Sequence, residues 1–224
     1  MDSEEIAKKY GINLKKLEEE QIKLAKELKI SDSIDFNSVE KMGAIDNAFF
    51  ENKIISACVV LTPDMDILEQ EYFSDKMKFP YIAGFRAYRE LPTMVEAFNK
   101  LEEKPDVMFI PGHGIAHPRL GIASHFSIST GIPSIGVANS LIEGEVKGED
   151  VIVNGKKVGK VLMTKPGSKP MYVSPGNLIS INTAYELAKK LIRLPHKLPE
   201  PLHLAHKYSR EVRKEAFGSV KKDE

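Results

Sequence analysis

Residues 79–136 read FPYIAGFRAYRELPTMVEAFNKLEEKPDVMFIPGHGIAHPRLGIASHFSISTGIPSIG, and this stretch decides the fold. Apolar residues recur at helical spacing from Pro92 to Leu101 and from Leu120 to Thr130, which predicts two helices. Each is followed by a short apolar run, Val107 to Ile110 and Ile135 to Ala138, which predicts two buried strands. Helix, strand, helix and strand in this order are typical of a parallel α/β unit.

The motif Pro111-Gly112-His113-Gly114 directly follows the first of these strands. Proline and glycine do not continue a buried strand, so the motif predicts a turn at its carboxyl end. Ligands of α/β sheets gather at this edge. A functional site is therefore expected at the turn.

The segments around this unit predict further strands. Three apolar runs at residues 39–50, 54–62 and 65–73 indicate an antiparallel meander. Later in the chain, Asn154-Gly155 between apolar runs indicates a hairpin with a type I′ turn. These strands and the central unit predict one mixed β-sheet.

Helices are expected at both ends of the chain. Residues 1–30 are helical in period, with an apolar stripe that includes Leu17 and Ile22. Further helices are expected at residues 181–194 and 202–212. The expected fold class is α/β, with a mixed central β-sheet flanked by helices.

Length and composition indicate one folded domain over residues 1–224, a helical segment at 1–30, a flexible tail at 218–224, and a monomer. The 32 basic and 32 acidic side chains cancel, so no global positive field attracts nucleic acid, although a local groove can still be basic. Cys58 is the single cysteine and lies in an apolar run, which predicts an inert thiol in a reducing cytoplasm. Neither a signal peptide nor a membrane-spanning run is apparent.

Two acids are candidates for metal chemistry. Asp46 lies in the otherwise apolar run GAIDNAFF, where a carboxylate is costly unless it is paired, metal-bound or at a strand end. Glu90 follows Arg89 near the start of a helix, where a solvated Glu is favoured by the helix dipole. From the residues alone, a site role and an ordinary surface role both remain open for these acids.

Several motifs resemble the endonuclease V family. They are GAIDNAFF, FPYIAGFRAYRE, KPDVMFIPGHGIAHPRLGIASHF, GIPSIGVA, SPGNL and LPEPLHLAH, in the family's order. The resemblance covers about Leu17 to Arg213. It implies a ribonuclease H-like fold and a metal-dependent nuclease of DNA repair. Such an enzyme acts on DNA or RNA that contains inosine, the product of adenine deamination, and leaves 3′-hydroxyl and 5′-phosphate ends.

The resemblance also assigns roles to residues. Asp46 and Glu90 would bind Mg²⁺, with Mn²⁺ as an alternative, and His206 would steer the attacking water or a phosphate. Tyr81 would be a wedge that holds the strand open while a base is flipped. Expected substrate contacts are the wedge neighbours Pro80 and Ile82, the pocket-floor glycines Gly84, Gly112 and Gly114, the pocket residue His117, and the phosphate-binding Arg89 and Arg119. Arg89 is alternatively expected to orient Glu90.

Three positions depart from the family pattern. The residue before Gly112 is usually a third metal-binding Asp and is Pro111 here. Asn139 stands where the family usually has Lys, and Asn177 where it usually has His. Asp106 lies at the beginning of the strand that ends at Pro111, so it is expected at the wrong end of the sheet to replace the missing acid.

These departures leave two alternatives to an active nuclease. One is a protein that binds the lesion and cuts poorly or not at all. The other is a ribonuclease H-like scaffold reused for another ligand. The retained wedge and the Gly-His-Gly motif argue against the second alternative.

Overall fold

The computed structural model describes residues 2–165 and 167–218. Within them nine strands form one sheet in the order β3-β2-β1-β4-β5-β9-β8-β7-β6. The strands are β1 (Met42–Phe50), β2 (Lys53–Leu61), β3 (Ile67–Lys76), β4 (Val107–Pro111), β5 (Ser134–Ala138), β6 (Glu145–Lys147), β7 (Asp150–Val153), β8 (Lys156–Leu162) and β9 (Met171–Asn177). The helices are α1 (Ser3–Tyr10), α2 (Leu14–Ala25), α3 (Arg86–Lys100), α4 (Ile122–Thr130), α5 (Ile181–Lys190) and α6 (Glu200–Phe217).

The sheet is mixed, as predicted. The first three strands pair antiparallel as a meander, and β1, β4 and β5 are parallel neighbours. The Asn154-Gly155 hairpin joins β7 to β8, and both of its residues have positive φ, at 50° and 72°. Strand β6 pairs with β7 at the end of the sheet and was not predicted, because a run of three exposed residues carries no apolar alternation.

Helices cover both faces of the sheet. Helices α5 and α6 close the core that contains Ala44, Phe109 and Val137. Helices α3 and α4 close the core that contains Ile45 and Met108. The expected mixed sheet flanked by helices is thus confirmed.

The N-terminal segment differs from its prediction. It forms two helices, because Gly11 adopts a left-handed conformation with φ of 65° that ends α1. Ile22 is 50% exposed, whereas Gln21 is buried in α2. The predicted tail at 218–224 lies outside the described residues from 219 onward. Among the described helices, none is long and apolar enough to cross a membrane.

His125 on α4 is buried with its Nε2 atom unpaired among the described residues. The ring packs edge-on against Tyr88 with centroids 5.5 Å apart. Burial lowers the pKa of His125 from 6.5 to about 4. His125 is therefore protonated only at a lower pH in the folded protein than in the unfolded chain.

We expect the free energy of unfolding to decrease as the pH falls from about 6.5 towards about 4, because the unfolded state binds more protons in this window. His125 alone contributes about 1–2 kcal/mol of this loss at about pH 5. Urea unfolding at about pH 7.5 and about pH 5 tests this with His125→Gln. The variant should lose part of the pH dependence, because other groups contribute too, among them His117, whose pKa burial also lowers to about 4. An unchanged pH dependence would contradict the assignment.

Candidate active site

Strand register brings the carboxyl ends of β1, β4 and β5 together. Ala44 pairs with Phe109, and Pro111 pairs with Val137. Continuing the first register by two residues sets Asp46 level with Pro111. Because side chains alternate along a strand, the side chains at 46 and 111 belong to the same face of the sheet. The position predicted for the missing third acid therefore adjoins Asp46.

Asp46 contacts His206, which is 160 residues away in the chain. The Asp46 Oδ2 atom lies 2.6 Å from His206 Nδ1. The Asp46 side chain is 15% exposed, whereas that of His206 is 43% exposed. The helix α6 thus delivers a half-exposed imidazole to a nearly buried carboxylate on β1.

Glu90 approaches the same region from α3 and is buried. Its Oε2 atom accepts a hydrogen bond of 2.7 Å from Nδ2 of Asn47, the residue after Asp46. Its Oε1 atom accepts a 2.7 Å bond from Nε of Arg86. The Asn47 amide and the Arg86 guanidinium therefore hold both carboxylate oxygens of Glu90.

Arg86 also donates from Nη1 to the carbonyl of Pro111 at 2.7 Å. Burial alone lowers the pKa of Arg86, but Glu90 and then Asp46 outweigh it and raise that pKa above its ordinary value. Sequence reasoning missed Arg86 and assigned the orienting role to Arg89. The spacing of four residues between Arg86 and Glu90, one helical turn, is the signal that would have found it.

Arg89 lies elsewhere. Its guanidinium sits over the rings of Phe49 and Tyr81, at 5.1 and 5.9 Å from their centroids. Nη2 contacts Met77 Sδ at 2.9 Å. Arg89 therefore supports the wedge loop and does not orient Glu90.

A cavity of about 450 Å³ opens beside these residues. It lies between the loop before α3 and the turn after β4. Its lining includes Tyr81, Ile82, Gly84, Arg86, Pro111, Gly112, His117, Ile122 and Asn139. The volume falls in the range of roughly 300–1,000 Å³ that is typical of small-ligand sites.

The rim of the cavity carries the predicted wedge. Tyr81 is 63% exposed, whereas Ile82 beside it is buried against Ala7 and Phe85. Pro80 is half-buried. An exposed aromatic ring is thus presented by a loop whose next residue is anchored in a core.

Of the three glycines predicted for the pocket floor, Gly84 and Gly112 line the cavity and Gly114 does not. The Gly112 N–H donates to the carbonyl of Val137, and the Gly114 N–H donates to Ser174 Oγ, both at 2.9 Å. A Cβ atom at Gly114 would lie 2.0 Å from the carbonyl oxygen of Pro175. Gly114 is therefore required for close packing, and neither N–H group is free to meet a base.

The N-termini of two helices bring backbone N–H groups to the cavity. Helices α3 and α4 begin at the cavity, and neither has a side-chain N-cap. His117 Nδ1 accepts the N–H groups of Arg119 and Leu120, each at 3.1 Å. Since its pKa is lowered to about 4, His117 is neutral at pH 7 and carries its proton on Nε2.

Arg119 was expected to meet a phosphate but is engaged within the fold. Its Nε atom donates to Gln21 Oε1 at 2.7 Å, and Nη1 pairs with Glu18 at 3.0 Å. Its guanidinium also lies 4.8 Å from the centroid of the Phe85 ring. These bonds indicate a structural role that ties α2 to the cavity wall.

The other two departures from the family pattern, Asn139 and Asn177, lie in different parts of the structure. Asn139 lines the cavity, and its Oδ1 atom accepts a 3.3 Å bond from Lys197 Nζ. Asn177 pairs with Ser134 at the opposite end of β5, where its side chain accepts the N–H of Lys29. The expectation that Asn177 lies near the site is wrong. Asp106 is also at that far end, as predicted, where it accepts the N–H groups of Glu40 and Lys41.

Three potential metal ligands lie close together at and just before the start of α6. Among the described residues, the nitrogen and oxygen atoms of His196, Glu200 and His203 lie within 4.8 Å of one another. The two imidazole rings are stacked, with centroids 3.5 Å apart and planes at 13°. Lone pairs of parallel rings do not converge on one ion, so this arrangement is a stacked pair in which His196 also bonds Glu200 at 2.7 Å.

Comparison with known proteins identifies relatives along most of the chain. A sequence model described as Endonuclease V matches residues 22–207. The Endonuclease V of Thermosipho melanesiensis is 36% identical over 214 residues, which cover 90% of this chain and 93% of the relative. That of Dictyoglomus thermophilum is 38% identical over 206 residues, covering 87% and 90%.

Solved structures agree. The Endonuclease V of Bacillus subtilis superposes with a TM-score of 0.84 at 27% identity, covering 91% of this chain and 93% of that one. The Endonuclease V of Ciona intestinalis, in complex with a 24-mer DNA containing an inosine followed by a ribo-adenosine, gives a TM-score of 0.83 at 26% identity, covering 91% and 98%. This chain therefore belongs to the endonuclease V family, whose members are metal-dependent nucleases with a ribonuclease H-like fold.

Proposed function

We propose that this protein is a repair endonuclease that recognises inosine in DNA or RNA and hydrolyses a nearby phosphodiester. The observation that carries the proposal is the contact between Asp46 and His206, together with the buried Glu90, which is held by Asn47, the residue after Asp46, and by the cavity residue Arg86. Family membership and the inosine-containing complex of the Ciona relative support it.

The cavity suits a flipped base. A hypoxanthine carries a carbonyl oxygen where adenine carries an amino group, so N–H donors favour it over adenine. In this proposal the uncapped N-termini of α3 and α4, which lie at the cavity, would supply such donors. Helix N-termini also carry a partial positive charge that favours a carbonyl oxygen.

Tyr81 serves as the wedge in this proposal. Flipping a base leaves a gap in the stack, and an aromatic ring that enters the gap offsets the lost stacking. The exposed ring lies on an anchored loop, so its position is largely fixed before the strand arrives. Pro80 before it and Arg89 against its ring would support the loop in this proposal.

We propose Mg²⁺ as the metal, with Mn²⁺ as an alternative. Asp46 on β1 and Glu90 on α3 are hard oxygen donors, and two carboxylates with waters and a phosphate are sufficient for Mg²⁺. When bound, the metal would activate water and stabilise the leaving oxygen. The residues fit one hydrated ion but not a cage of three carboxylates, since Pro111 offers only a carbonyl that Arg86 already occupies.

His206 acts on the water in this scheme. Its Nδ1 atom is held by Asp46, so Nε2 on the exposed side of the ring faces solvent and is available to orient a water molecule. The water oxygen forms a bond to phosphorus as the bond from phosphorus to the 3′ oxygen breaks. The attacking water gives up a proton to His206 Nε2, and the 3′ oxygen takes up a proton from solvent, which leaves 3′-hydroxyl and 5′-phosphate ends.

The reading as a binding protein without cleavage is not favoured. The family consists of nucleases, and of the three departures only Pro111 and Asn139 adjoin the site. Lys197 brings an ammonium group to Asn139 from the loop before α6, so positive charge is kept at this position.

We also propose that residues 1–224 act as one domain, as a monomer, in the cytoplasm. Burial raises the pKa of the Cys58 thiol, which suits a protein that relies on no disulfide. Light scattering on the purified protein tests the monomer, and a mass of two chains would contradict it.

Labelled single- and double-stranded substrates with one inosine test the function. Binding and nicking are scored on the same samples with Mg²⁺ or Mn²⁺, and Asp46→Ala is the control. We expect inosine-dependent nicking that Asp46→Ala abolishes. Inosine-selective binding without nicking would instead support the binding protein, and the absence of both would leave only the fold.

We expect Tyr81→Ala to weaken binding and nicking of inosine duplexes by about tenfold, because one base–aromatic stack is worth roughly 1–3 kcal/mol. Single strands should suffer less, since they need no wedge to separate them. Tyr10→Ala is the matched control, because Tyr10 is similarly exposed, at 57%, but lies on α1 outside the cavity. Equal losses on duplexes and single strands would contradict a wedge.

We expect Pro111→Asp to lower the metal concentration at half-maximal nicking by about tenfold, because it adds a carboxylate beside Asp46 and metal affinity follows the charge of the ligands. Pro111→Asn is the control, since it changes the backbone in the same way without the charge. If both variants respond alike to Mg²⁺, the missing carboxylate does not limit metal binding.

A further inference from the structure

Arg86 joins the carboxylates to the cavity. Its Nε atom is bound to Glu90 and its Nη1 atom to the Pro111 carbonyl, each at 2.7 Å. Its position on the first turn of α3 also makes it part of the cavity lining. The guanidinium therefore has a fixed orientation at the boundary between the acidic pair and the space proposed for substrate.

The guanidinium has donors to spare. It carries five N–H groups, and its two hydrogen bonds use two of them. The Arg86 side chain is 38% exposed, whereas that of its partner Glu90 is 5% exposed. The three unused N–H groups are one on Nη1 and two on Nη2, so the free edge is the end of the guanidinium between these two nitrogens. Because Arg86 lines the cavity and is partly exposed, this edge is accessible while Nε stays bonded to Glu90.

The charges at the site affect how a phosphodiester approaches it. The phosphodiester meets two carboxylates, Asp46 and Glu90, of which Glu90 is already paired with Arg86, and a bound metal ion would offset further negative charge. Of the described residues that line the cavity, Arg86 is the one with a permanent positive charge. Arg119 is bound to Glu18 and Gln21, and Arg89 lies over Phe49 and Tyr81.

We propose that Arg86 is a catalytic residue that binds the phosphate of the linkage to be cut through the free edge of its guanidinium. This proposal rests on the proposed nuclease function and adds a substrate contact to it. Two parallel N–H donors match two phosphate oxygens, which is the geometry that arginine offers and lysine does not. The bonds to Glu90 and Pro111 reduce the entropy lost when the phosphate binds.

The test removes the positive charge of Arg86 and, separately, the negative charge of each candidate phosphate. Binding of inosine-containing strands is measured without divalent metal, so that no strand is cut. In separate strands, each of the first three linkages on the 3′ side of inosine is replaced by a neutral methylphosphonate. Wild-type protein, Arg86→Met and Arg86→Lys are compared on each strand. Arg193→Met is the matched control, because Arg193 is exposed and bonds only carbonyls of Lys190 and Ile192 among the described residues.

We expect one methylphosphonate to weaken wild-type binding by about tenfold and to weaken Arg86→Met binding by less than about twofold. Arg86→Lys should retain part of the coupling, and Arg193→Met should retain all of it. If the methylphosphonate at every linkage weakens binding equally in wild type and Arg86→Met, the proposal is overturned, whereas inosine recognition is unaffected. If the wild type fails to bind the inosine strand at all, the proposed function and this contact both fail.

A second measurement separates substrate binding from support of Glu90. The affinity of strand-free protein for Mn²⁺ is followed by the electron paramagnetic resonance of free Mn²⁺. Loss of a positive charge near the carboxylates should leave Arg86→Met binding Mn²⁺ at least as tightly as the wild type. Weaker Mn²⁺ binding, combined with a methylphosphonate effect that is the same in Arg86→Met and wild type, would assign Arg86 to holding Glu90 alone and would overturn the proposal.

Discussion

The buried carboxylate of Glu90 is the constraint on which the site depends. A charge removed from water is tolerated only when it is paired and hydrogen-bonded, and here each oxygen has its own donor, Asn47 on β1 and Arg86 on α3. Because Arg86 also binds the carbonyl of Pro111, Arg86 and Glu90 together tie helix α3 to strands β4 and β1. Removing either donor would leave a buried charge with an unfilled acceptor, which is costly.

Much of the fold was predictable because it follows from local pattern. The apolar runs of β1, β2 and β4, the Asn-Gly hairpin and the helices after the sheet each carry a signal within a few residues. The carboxyl end of β4 was predictable to within one residue: the turn begins at Gly112, and Pro111 is the last residue of the strand. Two features were not predicted. The break at Gly11 between α1 and α2 was missed because the charged segment keeps a helical period on both sides of it. Strand β6 was missed because it consists of three exposed residues.

The candidate site was predicted less completely, because its contacts depend on which way a residue faces. Arg86 and Arg89 are adjacent to the same motif, and only the phase of α3 decides that the first meets Glu90. The resemblance placed Asn177 and Gly114 near the substrate, but the antiparallel β9 carries Asn177 to the far end of β5, and Ser174 takes the Gly114 N–H. Register and pairing across the sheet are needed to see both.

Gln21 connects helix α2 to two loops of the cavity wall. Its amide nitrogen contacts the carbonyls of Gly84 at 3.1 Å and Leu120 at 3.4 Å, and its oxygen accepts from Arg119. Gly84 and Leu120 belong to separate loops that both line the cavity. Helix α2 therefore works as a brace outside the cavity, and a shift of α2 would change the width of the cavity from both loops at once. Substrate selectivity can in this way be altered by changes on a helix that contributes no residue to the cavity wall.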